Sequence, residues 1–182
     1  MGAALALTDA ADAPLLALLP SAATPLGAVG KQPWRGALLL GDWLLHHARG
    51  LADAVILELG TGLGVAGMLA ARHRPAAAFL TDAPADVLAA CAACQEANSQ
   101  HLGGGAAGAA TVHVRRLDWL DPPDWLLPPA APGAAAEPPQ LQQQGGRFDW
   151  RPSDVAALQR CGLLLAADCI YDDVLTEGCM RW

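Results

Sequence analysis

Charge is scarce in this chain, and positive charge is the scarcer sign. Only 16% of its residues are Asp, Glu, Lys or Arg, where about 25% is usual for a soluble domain. Eleven Lys and Arg against eighteen acids leave a formal net charge of −7. That balance argues against phosphate-backbone binding as a primary role. No apolar run reaches the roughly 18 residues that a membrane-spanning helix needs, so no span is read. The opening "MGAALALTDAADAP" has no basic stretch ahead of its apolar residues and meets Asp9 and Asp12 early. It also lacks the Arg and Ser of an organelle transit peptide, and Ala6, where Ser or Thr is needed, breaks the myristoylation pattern. HxH and HExxH spacings are missing, as is the GxSxG nucleophile elbow.

The five cysteines are Cys91, Cys94, Cys161, Cys169 and Cys179. An odd set without a secretion signal fits a reducing compartment, so cytosol or nucleus is expected. Cys91 and Cys94 have CxxC spacing. With no second CxxC and no nearby histidine pair they read as core cysteines on an apolar helix side. His46 and His47 are adjacent, diverge around a helix and make a poor chelate. No metal is expected.

What is present is alanine, glycine, proline and one dense motif. The 182 residues suit one domain with a sizeable core, although alanine inflates the 53% hydrophobic fraction. "AVILELGTGLGVAG", 54–67, packs four glycines into eight positions behind an apolar run. Glycine is costly inside a helix or strand and helpful where backbone must approach something closely. The stretch therefore reads as strand (54–59), glycine turn and helix (63–72), the arrangement of a nucleotide-type cofactor site.

Around it the pattern alternates. Residues 1–30 read as a loose, weakly patterned leader with at most one short helix. A helix is expected over 33–48, with Pro33 in its first turn and an apolar face of Leu38, Leu39, Leu40, Trp43, Leu44 and Leu45. Strands follow at 76–82, 111–119 and 161–171, with helices at 84–100, near 152–160 and after Asp172. "GGGAAG" is a turn. Residues 121–146 hold seven prolines, an Ala/Gly tract and a Gln run, a low-complexity insert too poor in packing groups to repay its ordering entropy. The fold class is α/β: a Rossmann-like parallel sheet with helices on both faces. Ligands in such sheets sit beyond the carboxyl ends of the strands. Glu58, Asp82 and Asp118 fall at those ends, with Asp168 just past the fourth strand.

The glycine turn fits two registers. From Gly62, "GLGVAG" matches the dinucleotide pattern GxGxxG. From Glu58, the stretch reads ExGxGxG through Gly60, Gly62 and Gly64. An acid inside the strand end would face a dinucleotide's pyrophosphate. S-adenosylmethionine has no phosphate, and both its ammonium and its sulfonium are cationic. Asp82, 22 residues beyond Gly60, is placed to accept two ribose hydroxyls in either case. Asp118 could accept from an adenine amino group.

Taken in order, "PWRGALLLGDWLLHH", "ILELGTGLGVAGMLAA", "LTDAPADVLAACAACQEAN", "RRLDW" and "LLLAADCIYDD" resemble the seven-stranded class I S-adenosylmethionine-dependent methyltransferases. The nearest likeness is to their methyltransferase-like protein-lysine subgroup, and within it to one branch, through "WRGALLL" and "AADCIYDD". The resemblance implies cofactor contacts from Trp34, Glu58, Gly60, Gly62, Gly64, Asp82, Asp118 and Trp119. It also places Asp168 and Tyr171, a DxxY pair, at the mouth where a substrate lysine enters, Asp168 orienting the amine and Tyr171 walling the channel. Apart from the resemblance, Asp168 leaves an apolar strand where burial of a carboxylate would be costly, or it caps the helix beginning near Val174.

The family sheet has seven strands, whereas the pattern here supplies four. The expectation is thus a methyltransferase domain over 31–182 that represents the N-terminal part of a sheet. Its fourth strand would lie open at an edge and the chain would be weakly stable. The reaction implied is methyl transfer to a lysine nitrogen of a protein substrate. Also open are an impaired cofactor-binding remnant or fragment and a small-molecule or nucleic-acid methyltransferase. An NAD-binding protein is a further reading.

Overall fold

The computed structural model describes residues 3–22, 26–102, 111–126 and 145–180. Four parallel strands carry the fold: β3 (Val55–Leu59), β4 (Ala77–Asp82), β5 (Thr111–Arg116) and β6 (Cys161–Ala166). Two further strands, β1 (Leu5–Thr8) and β2 (Pro14–Leu18), precede them. The sheet order is β5-β4-β3-β6. The chain therefore moves outward from β3 through β4 to β5 and then crosses to the opposite side of β3. This reversal opens a crevice above the carboxyl ends of β3 and β6.

Alternation along the strands divides the core into two layers. Ile56, Ala78, Leu80, Val114 and Leu165 face α1 (Arg35–His47), α2 (Val65–Ala71) and α3 (Ala85–Ala97). Val55, Leu57, Leu59, Ala77 and Phe79 face Leu158 of α4 (Pro152–Leu158) and Cys179 of α5 (Asp173–Cys179). Because both faces are covered, β3 is buried at every position, which is why "VILEL" reads as a continuous apolar run. The α/β expectation is met. Among the described residues β6 pairs with β3 and with no other strand, and Leu164 on it is exposed. No helix among the described residues is long and apolar enough to cross a membrane.

Three expectations are corrected. The loose leader is instead an antiparallel hairpin of β1 and β2. Asp9 Oδ1 accepts from the Ala11 and Ala13 amides in its turn, at 2.8 and 2.9 Å, and Leu16 and Leu18 are buried in the α1–α3 layer. The apolar face of α1 is narrower than expected: Leu44 is buried, whereas Leu39 is 72% and Trp43 52% exposed. Gly41 explains the close approach there, since a Cβ on it would collide with Leu69 of α2. Finally, Trp125, at the start of the insert, packs edge-on against Trp150 at 5.3 Å. It adds apolar surface where none was expected. Residues 127–144 of the insert and the "GGGAAG" turn lie outside the described residues.

Candidate active site

Beyond Leu59 the chain leaves β3 through Gly60, Gly62 and Gly64, which adopt φ of +60°, +54° and +82°. L side chains rarely occupy that region, so the turn is specified by glycine. It forms one wall of a cavity of about 660 Å3. Trp34, Glu58, Gly60, Gly62, Asp82, Asp118, Trp119, Asp168 and Tyr171 all border that cavity, although they come from five separate stretches of chain. Gly64 does not border it. A Cβ on Gly64 would meet Leu80 Cδ2 at 2.8 Å and Cys91 Sγ at 3.0 Å, so this glycine faces the core and allows α2 to close onto the sheet.

Two carboxyls hold the turn from beneath. Glu58 is buried, and its Oε2 accepts from the Thr61 hydroxyl at 2.5 Å and from the Gly67 amide at 3.1 Å. Burial pushes its pKa from 4.5 up to about 7, against the pull of those two bonds, and the nearby Asp82 charge adds to the rise. Asp82 Oδ2 accepts from the Gly62 amide at 3.0 Å and Oδ1 from the Ala83 amide at 2.9 Å. Its pKa is also raised, chiefly by burial and against the same kind of hydrogen bonding. The sequence alone does not single out Thr61 and Gly67. Gly67 is the last glycine of the alternative GxGxxG register, which is the available signal.

The rim is more open. Trp34 is 47% exposed and its Nε1 donates to the Val29 carbonyl at 2.8 Å. Asp118 Oδ1 accepts from the Leu120 amide at 3.0 Å. Trp119 lies across Gly60, whose Cβ would approach its ring to 2.8 Å. Tyr171 is 65% exposed, with its hydroxyl pKa raised mainly by burial. Cys169 forms part of the floor, its thiol pushed up to about 12 mainly by burial, so it is a poor nucleophile. Asp168 corrects the sequence reading twice. It is exposed rather than desolvated, and it does not cap α5, where Asp172 accepts from the Val174 and Leu175 amides. Asp168 Oδ2 accepts instead from the Ala37 amide of α1 at 3.0 Å.

Four carboxyls line this cavity, and none of the described residues bordering it is Lys, Arg or His. Such a site favours a ligand that is cationic and carries no phosphate. Cys91 and Cys94 are both buried, and Cys94 Sγ accepts from the Leu19 amide at 3.3 Å. Among the described residues no group of three His, Cys, Asp or Glu could hold a metal ion.

A family described as "Lysine methyltransferase" matches residues 21–128, which span the glycine turn and the ends of β3, β4 and β5. Two relatives are both called methyltransferase-like protein 22. The mouse protein is 39% identical over 157 residues, 86% of this chain, and the human protein 36% identical over 160 residues, 87% of this chain. The chain spans about a third of the length of these relatives, the aligned part being 35% of each.

Proposed function

Because this chain belongs to the lysine methyltransferase family, we propose that its crevice holds S-adenosylmethionine and that the whole protein methylates a lysine nitrogen of a protein substrate. The observation that carries this reading is a lining with four carboxyls and, among the described residues, no cationic side chain. A pyrophosphate cofactor would find no Lys or Arg among the described lining residues, whereas an ammonium and a sulfonium would find carboxyls. When bound, S-adenosylmethionine supplies a methyl group already activated by its positively charged sulfur.

The residues fit that group. Asp82 keeps lone pairs free for two ribose hydroxyls after its bonds to Gly62 and Ala83. Asp118 and Trp119 flank the adenine side, and Trp34 covers the opening. Both bonds to Glu58 fall on Oε2, so Oε1 remains available toward the methionine end. At the mouth, Asp168 and the other acids draw in the lysine ammonium. An ammonium cannot attack, and free lysine has a pKa of about 10.4. Desolvation of the ammonium inside the cavity, which Trp34, Ile170 and Tyr171 border, lowers that value, and the proton leaves to water at the exposed rim. The chain's own contribution is alignment and exclusion of water. Five free cysteines support cytosol or nucleus as the place of action.

Calorimetry should show S-adenosylhomocysteine binding with no comparable binding of NAD. Asp82→Ala should weaken that affinity by about 1–3 kcal/mol, since it unpairs ribose hydroxyls and releases the Gly62 amide. Labelled methyl donor added with cell lysate should place label in protein lysine. Label confined to nucleic acid or metabolites would overturn the substrate assignment.

A further inference from the structure

The outer edge of β5 carries a second, smaller concavity of about 180 Å3. Three arginines reach it from three places: Arg115 on β5, Arg147 from the segment beside the end of β5, and Arg151 at the start of α4. His113 and Gln95 complete its polar wall. In a chain of net charge −7 with only eleven basic residues, this is a local reversal of sign.

Each guanidinium has a definite setting. Arg115 is buried, and its Nε donates to Asp154 at 2.7 Å, one terminal nitrogen donates to the Val114 carbonyl at 2.8 Å, and the other lies 3.4 Å from His113 Nδ1. Asp154 also accepts from the Arg151 amide at 3.0 Å, which ties α4 to the strand. Arg147 pairs with Glu96 of α3 at 2.7 Å and lies 5.3 Å above the Phe148 ring. Arg151 has no carboxylate partner for its guanidinium among the described residues. Among the described residues three guanidiniums thus pair with two carboxylates, leaving one guanidinium without a salt-bridge partner. His113, stacked on Phe79 at 5.0 Å, does not add to it. Burial, with Arg115 and Arg151 nearby, lowers its pKa against the opposing pull of Asp154.

We propose that this notch binds a single phosphate monoester group through Arg147 and Arg151, with Arg115 behind them. Arginine forks are preorganised for tetrahedral oxyanions, and the space suits one such group rather than a nucleotide. Extended nucleic acid is disfavoured by the acidic remainder of the molecule. The phosphate can belong to a small ester or to a phosphorylated side chain of a protein. The proposal is independent of the reading of the crevice.

The test is calorimetry on the full chain at low ionic strength with inorganic phosphate as the probe. Saturable binding is expected, weakened about tenfold or more by Arg151→Ala and by Arg147→Ala. Both side chains lie toward the surface, and thermal melts would verify that the variants fold. Affinity for S-adenosylhomocysteine should be unchanged in both. Phosphate should also shift the His113 ring resonances and raise its pKa in the wild type, because it adds negative charge nearby. A phosphoserine peptide that binds more tightly than phosphate, while its unphosphorylated twin does not bind, assigns the source to protein. A phosphopeptide no tighter than phosphate assigns it to a small ester. No saturable binding, wild-type affinity in both arginine variants, or displacement of phosphate by S-adenosylhomocysteine would overturn the proposal.

Discussion

Asp168 Oδ2 accepts a hydrogen bond from the Ala37 amide at 3.0 Å across 131 positions of sequence, and Gly36 leaves the space for it. A Cβ on Gly36 would stand 2.5 Å from that carboxylate oxygen. Trp34, the residue before α1, offers no side-chain cap, so Asp168 supplies one from the far side of the crevice, at the positive end of the helix. Asp168 itself is held at φ +54°, a conformation asparagine tolerates.

This arrangement separates an anchoring role from a charge role. Asp168→Asn keeps the acceptor and should retain the affinity for S-adenosylhomocysteine. Asp168→Ala should lose about 0.5–2 kcal/mol of stability, as loss of a cap does, and weaken binding as well. Gly36 does not border the cavity, yet Gly36→Ala should weaken binding in the same way as Asp168→Ala. Loss of affinity in Asp168→Asn combined with a silent Gly36→Ala would assign the role to charge instead.

The raised pKa of Glu58 sets a stability profile with pH. Its pKa is 4.5 when exposed and about 7 in the fold, so between those values the folded chain holds a proton that the unfolded chain has released. Stability therefore falls as pH rises through that window, by at most on the order of 3 kcal/mol above it. Asp82, also raised, acts in the same direction. Glu58→Gln removes the larger share while keeping an acceptor for Thr61 and Gly67. Denaturant melts from about pH 5 to about pH 8 should show the variant gaining on the wild type as pH rises. A difference that does not change with pH would refute the assignment.

What could be read in advance follows from how local each feature is. β3 was legible because burial on both faces makes an uninterrupted apolar run, and the turn was legible because positive φ selects glycine. Asp82 was legible because it terminates a strand. Gly64 and Gly67 are not distinguishable from Gly60 and Gly62 in the sequence, since only the packed helix shows which glycines meet the cavity and which meet the sheet. The hairpin is not legible because "LALT" and "PLLAL" carry no alternation of their own, and their pairing is fixed by distant groups. The bond from Asp168 to Ala37, like the buried pair of Arg115 and Asp154, joins residues far apart in sequence, and local periodicity carries no trace of it.

Gly67 should tolerate substitution poorly although its φ is not positive. A Cβ there would collide with Glu58 Oε2 and lie 2.9 Å from Leu80 Cδ1, and both neighbours are buried. Overpacking a core site costs about 1–3 kcal/mol, and displacing a buried, hydrogen-bonded carboxyl adds to that. Gly67→Ala should therefore lower the melting temperature more than Gly50→Ala, where φ is positive but no atom lies within 4 Å of the added Cβ. Equal melting temperatures would show that α2 can shift freely.

Asn98 is the residue that holds the hairpin on the domain. It is fully buried at the end of α3, and its Oδ1 accepts from the Ala17 amide at 2.7 Å. Its Nδ2 donates to the Ala17 carbonyl at 2.6 Å and to the Cys94 carbonyl at 2.7 Å. One side chain thus pairs both backbone groups of a residue in β2, much as a neighbouring strand would. Asn98→Ala leaves those half-buried groups without their partners, at up to about 1–3 kcal/mol each. The expected result is a loss of several kcal/mol in denaturant melts, with faster amide exchange at Ala17. Asn98→Asp keeps the acceptor and, while protonated, one donor in place of two, so it should fall between alanine and wild type at low pH and worsen as its carboxyl ionises and loses that donor. If Asn98→Ala melts like the wild type while Ala17 stays protected, the hairpin is held instead by Leu16 and Leu18, and the amide pairing contributes nothing.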